Sequence, residues 1–135
     1  MERNISKASF MWVVIMAGFA MHMLADMLPA FWGANIAMPD ATGEVSVGMI
    51  AFMIFISFLM PMCGLLCMQF RSSKTMCLIN LILASIMMVF NILHAIELIE
   101  EFNPVQLMIH PAMIVAGIYL FLFSRNEMRN HKAEK

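Results

Sequence analysis

The chain is 135 residues long, 62% hydrophobic and only 13% charged, with a formal net charge of -1 and a mean hydropathy of +0.84. A soluble domain is about half apolar and about a quarter charged, so this composition excludes an ordinary soluble fold and points to a single membrane domain. Cys63, Cys67 and Cys77 all lie in or beside apolar runs with no CxxC pair, which argues against a disulfide framework.

In chain order, residues 1–7 form a polar leader carrying Arg3 and Lys7. Residues 8–31 are then almost unbroken apolar, enough to cross a bilayer core of roughly 30 Å. No small-residue cleavage site follows, so this run reads as a signal anchor. Trp12 at one end and Phe31-Trp32 at the other fit aromatic interface belts. Residues 33–46 hold Pro39, Asp40, Gly43 and Glu44, the composition of a connecting loop. A second span covers 47–70 and contains Pro61 and Gly64. Only Arg71-Ser72-Ser73-Lys74 separates it from a third span over 75–97, which runs into Glu100 and Glu101. Asn103-Pro104 is a helix start, with Asn as cap and Pro at the first helical position. The fourth span covers 105–123, and residues 124–135 read as a basic, frayed tail. No soluble domain, heptad seam or low-complexity linker is visible.

Sidedness follows from the bases. Arg3, Lys7, Arg71, Lys74, Arg125, Arg129, Lys132 and Lys135 are all eight Lys and Arg residues, and with four spans every one falls on the same side. The positive-inside rule makes that side cytoplasmic. The expected fold is therefore an all-α, integral-membrane four-helix antiparallel bundle with both termini cytoplasmic. In a bacterium it would sit in the inner membrane.

That topology gives each polar residue a depth. His22 and Asp26 lie in the outer half of span one, four residues apart and hence on one helix face. Asn91, His94 and Glu97 approach the outer end of span three, and His110 lies about one and a half turns into span four. At about 100° per residue, Asn91 and Glu97 flank His94 by roughly 60° on opposite sides. Charged groups at such depth normally face a bundle interior or a water-filled cavity. His22, Asp26, His94, Glu97 and His110 are thus the candidate metal ligands, His110 reaching the others if spans one, three and four are mutual neighbours. Glu100 and Glu101 read as a solvated helix end.

Imidazole and carboxylate together suit Zn, Fe, Mn or Co, and His94-x-x-Glu97 has the i,i+3 spacing used in helical-bundle metal sites. A proton pathway starting from His22 and Asp26 is a second option, since histidine titrates near neutrality. Below Asn91, however, span three offers only Ser85 and Asn80, several turns apart, so the relay is broken. Haem between two histidines fits less well, because His22 and His94 differ in depth by roughly 5–8 Å and no CxxCH motif occurs. The 18 methionines, with Cys63, Cys67 and Cys77, would suit Cu(I), but they follow no fixed period and methionine is an adaptable apolar filler.

Pro61 and Pro111 should each kink their helix by freeing a carbonyl, that of Ser57 and that of Leu107. Ala17, Gly18, Gly64, Ala84, Ala116 and Gly117 allow close helix approach. Two readings of function follow. One is an outer-leaflet polar site binding a metal ion, proton or small ligand in transport or membrane chemistry. The other is a non-catalytic subunit or scaffold whose His, Asp and Asn only hold helices together. The expected partners are the lipid bilayer and a second copy or another membrane subunit, with no nucleic acid.

Overall fold

The computed structural model describes residues 6–36, 43, 44, 46–96 and 106–133. Among these, all regular structure is helical, and four helices are long and apolar enough to cross a membrane. Helix α1 (Lys7–Met27) passes into a 3-10 turn, Leu28–Trp32. Pro29 stands where α1 passes into this turn and supplies no N–H to continue the α-helical hydrogen bonding. Gly33 ends the turn at φ 79°, with its N–H on the Ala30 carbonyl. This left-handed conformation is one that glycine adopts without a Cβ clash. Helix α2 (Val47–Gln69) starts at Ser46, whose hydroxyl accepts the Met49 N–H at 3.4 Å. Helices α3 (Lys74–His94) and α4 (Gln106–Ala133) complete the bundle.

The turn before Pro61 is widened. Residues Phe55–Leu59 are π-helical, and the Met60 N–H reaches back five residues to the Phe55 carbonyl. Proline lacks the donor for the carbonyl four residues earlier and its ring crowds that oxygen. One extra residue in the preceding turn relieves the crowding, which is why such bulges accompany helix bends.

Helix α4 packs against both α1 and α3, and α2 packs against the same two. Helices α1 and α3 therefore face each other across a diagonal, with α4 packed against both. Polar side chains cross that diagonal. The buried Trp12 N–H donates to Asn80 Oδ1 at 2.8 Å, and Asn80 Nδ2 donates to Ser124 Oγ at 2.7 Å.

The inward positions form a seam. Ala8, Trp12, Ile15 and Phe19 are buried on α1, while Cys77, Asn80, Ala84, Met87 and Asn91 are buried on α3. Buried Gln106, His110, Met113, Leu120 and Ser124 continue it on α4. Steps of three and four residues give the spacing of a helical-bundle seam, which was not visible in the sequence. In lipid the outward residues are apolar too, so hydrophobicity does not mark the inner face.

Trp12 belongs to this seam and not to an interface belt, because it is 0% exposed. Gly64 makes room for it, since a Cβ there would lie 2.2 Å from the indole Cε2. Phe31 and Trp32, by contrast, are 78% and 80% exposed. Ala17 points outward and adds nothing to helix approach, whereas Gly18 meets Met113 and Gly117 meets Asn91.

The segment after Phe123 is helical through Ala133 instead of frayed. Contacts with the start of the chain and with the α2–α3 loop hold it. Ser6 Oγ donates to Glu127 Oε1 at 3.2 Å, Arg71 lies 3.9 Å from the same carboxylate oxygen, and the Lys7 ammonium sits over the Phe123 ring at 5.7 Å.

Candidate metal centre

The seams carry the polar residues at one end of the bundle. On α1, steps of three and four lead from Phe19 to His22 and Asp26; on α3, a step of three leads from Asn91 to His94; on α4, Gln106 and His110 are four apart. Of these, Asn91, Gln106 and His110 are buried in the bundle, His22 and His94 are half-buried, and Asp26 is exposed at its edge. His22, His94 and His110 each offer a ring nitrogen, and the three nitrogens lie within 4.8 Å of one another. This cluster could hold a metal ion. Asp26 stands beside it, with Oδ2 3.6 Å from His22 Nε2. Glu97, Glu100 and Glu101 lie outside the described residues.

One residue absent from the sequence expectation organises the group. Gln106 is 4% exposed, and its amide nitrogen donates to Asp26 Oδ1 and, at 3.3 Å, to the His22 carbonyl. Both of these oxygens can only accept, so the orientation of the amide is fixed. Gln106 Oε1 then faces His22 Nδ1 at 2.7 Å, and an amide oxygen can only accept. Nδ1 must carry the proton. In the neutral ring this leaves a lone pair on His22 Nε2, the atom that faces His94 Nε2 at 3.0 Å.

The same logic holds for His110. Its Nδ1 donates to the Gln106 carbonyl at 3.0 Å, so Nε2 has the lone pair in the neutral ring. That Nε2 is buried and has no hydrogen-bond partner among the described residues. Gln106 thus fixes two tautomers, one through its side chain and one through its backbone, the arrangement by which outer hydrogen bonds orient metal-binding histidines. The i,i+4 spacing that links His22 to Asp26 also links Gln106 to His110.

Asn91 does not join the cluster. Its Nδ2 donates to the Met113 carbonyl at 3.1 Å beside Gly117, and its buried Oδ1 has no partner among the described residues. The three ring centroids are 4.7, 5.1 and 5.3 Å apart, so the imidazoles pack directly against one another. Cys63 is exposed, and Cys77 Sγ donates to the Arg71 carbonyl at 3.1 Å.

Tetrahedral coordination at Zn–N distances of about 2.0–2.1 Å puts ligand nitrogens about 3.3 Å apart. The His22–His94 pair is within 0.3 Å of this at 3.0 Å, and the widest separation must close by at most about 1.5 Å. No protein-family model, curated protein or solved structure matches this chain.

Proposed function

We propose that this multi-pass membrane protein is an antiparallel four-span bundle in which His22, His94 and His110 bind one divalent first-row transition-metal ion. The site lies in the outer half of the membrane, with both termini cytoplasmic. The observation that carries the proposal is the convergence of three imidazoles, two of them locked by Gln106 with their Nε2 lone pairs inward. Without an ion, His110 Nε2 pays a desolvation cost of about 1–3 kcal/mol. A cation relieves it and also replaces the contact between the two Nε2 atoms of His22 and His94. Zinc, iron, cobalt and manganese all accept imidazole, and the stability order of divalent ions favours zinc over manganese and iron. Three neutral ligands leave the ion's full charge in place, and the Asp26 carboxylate beside His22 offsets part of it. A fourth position is left for water, Asp26 or a substrate. The contacts of Ser6, Lys7 and Arg71 with the far end of α4 support a common side for the basic segments.

The experiment is metal analysis of protein purified in detergent, followed by Co(II) loading and absorption spectroscopy. About one ion per chain and a tetrahedral cobalt spectrum are expected, both lost in a His22→Ala/His94→Ala variant that remains folded. Wild-type protein that takes up neither zinc nor cobalt sinks the proposal.

One observation favours the second reading, in which the polar residues serve packing alone. The Trp12–Asn80–Ser124 network already ties three helices together with no titratable group. Interhelical bonds of this kind contribute under about 2 kcal/mol each. Failure of metal loading combined with destabilisation of His22→Ala would favour that role, in a scaffold or subunit. If the site serves transport, four helices leave little room for a sealed conduit, so a homodimer would form it. Full transport by a monomer in liposomes would refute that arrangement.

A further inference from the structure

At the end of the bundle opposite the histidines, α4 carries a short repeat, Arg125-Asn126 and Arg129-Asn130. The four-residue spacing returns to one helix face, and all four side chains are exposed. The buried seam sets their direction. Ser124 faces the bundle and is 0% exposed, and at about 100° per residue Arg125 and Arg129 lie roughly 100° and 140° round the helix from it, on the same side. The one carboxylate between Ser124 and Ala133, Glu127, lies roughly 160° from both arginines. It is engaged elsewhere, accepting from Ser6 Oγ at 3.2 Å and standing 3.9 Å from Arg71. Among the described residues, neither Arg125 nor Arg129 has an ion-pair or ring partner. The outward face thus offers two guanidinium groups and two side-chain amides, with no carboxylate beside them.

The same face is apolar closer to the middle of the helix. Val115, Ile118 and Leu122 are exposed and lead to Arg125 in steps of three and four residues. From Gln106, where the span begins, the helix rises about 28 Å to Arg125 at 1.5 Å per residue. The hydrocarbon core is about 30 Å thick, so the arginines stand in the headgroup layer and the apolar stripe stands among the lipid chains.

We infer that this face binds an anionic phospholipid, with its phosphate between Arg125 and Arg129 and an acyl chain along Leu122, Ile118 and Val115. A guanidinium presents a fork of donors that matches phosphate oxygens, and the Asn126 and Asn130 amides supply further donors. The carbonyl end of α4 opposes an anion with about half a negative charge, confined to the last turn; two full guanidinium charges outweigh it. A zwitterionic lipid has the same phosphate but brings its own cation, so a net negative headgroup is preferred. No residue of the proposed metal centre takes part, and the inference stands or falls apart from that centre.

The test is native mass spectrometry of the full chain in mixed micelles with equal amounts of phosphatidylglycerol and phosphatidylcholine of the same acyl chains. Phosphatidylglycerol is expected to be retained about thirtyfold better, roughly fivefold for each arginine. Arg125→Gln/Arg129→Gln should bring the ratio close to one with the melting temperature in detergent unchanged. Lys74→Gln, which removes an exposed base on α3, should leave the preference intact. Equal retention of the two lipids by the wild-type chain, or an undiminished preference in the double variant, overturns the inference. An equal loss in Lys74→Gln also overturns it, since the effect would then belong to overall charge. A polyglutamate peptide that binds through the two arginines while phosphatidylglycerol shows no preference assigns the face to an acidic protein and overturns the lipid.

Discussion

Replacing Gln106 with leucine tests the chain of hydrogen bonds on which the metal centre rests. The substitution keeps the bulk of a buried side chain and removes three contacts: to Asp26 Oδ1, to the His22 carbonyl and to His22 Nδ1. In a soluble protein, each would contribute about 1 kcal/mol, and more for the bond to a carboxylate. Between membrane helices the measured average is nearer roughly 0.6 kcal/mol, because helices separated within the bilayer also find partners. The lower figure applies here, giving a loss of about 2 kcal/mol in stability. The larger effect is on the metal. His22 loses the acceptor that holds its proton on Nδ1, so the Nε2 tautomer becomes free to form and the ring is free to turn. Loss of such an outer partner weakens metal binding about 10–100-fold. The backbone carbonyl of residue 106 remains, so His110 keeps its tautomer and some affinity survives. Competition with a zinc-sensitive chelator measures the affinity, and thermal unfolding in detergent measures the stability. A Gln106→Leu protein with wild-type zinc affinity would refute the assigned role of the glutamine.

Other outcomes follow from packing and topology. Gly64→Ala should destabilise the bundle by about 1–3 kcal/mol, an overpacking cost, because its Cβ would meet the rigid, hydrogen-bonded Trp12 indole. Gly18→Ala should cost less, since its Cβ meets the flexible Met113 Cγ at 2.9 Å; equal melting temperatures for the two variants would contradict this ordering. In a background lacking Cys63, Cys67 and Cys77, Ser72→Cys should react with a membrane-impermeant maleimide only after cells are opened. Glu44→Cys should react on intact cells, and the reverse pattern would invert the proposed orientation.

Several features of this protein were legible from residue types alone. The number of spans follows from the length of the apolar runs, since backbone polar groups in lipid must be paired within a helix. His22, Asp26, His94 and His110 drew attention because ionisable groups are costly at that depth. Their shared depth followed from counting turns.

Which residues face one another was decided only by the tertiary structure. Trp12 reads equally well as a belt residue and as a core residue, and only the bare backbone at Gly64 makes room to bury it. Gln106 reads as a first-turn residue until α4 lies against α1 and its amide meets both His22 and Asp26. Asn91 lies one turn from His94 on the same helix, yet the approach of Gly117 turns it to the Met113 carbonyl. The common reason is the solvent. In water the inner face of a helix declares itself by being apolar, whereas in lipid both faces are apolar and small residues, shape and hydrogen-bond pairing choose between them.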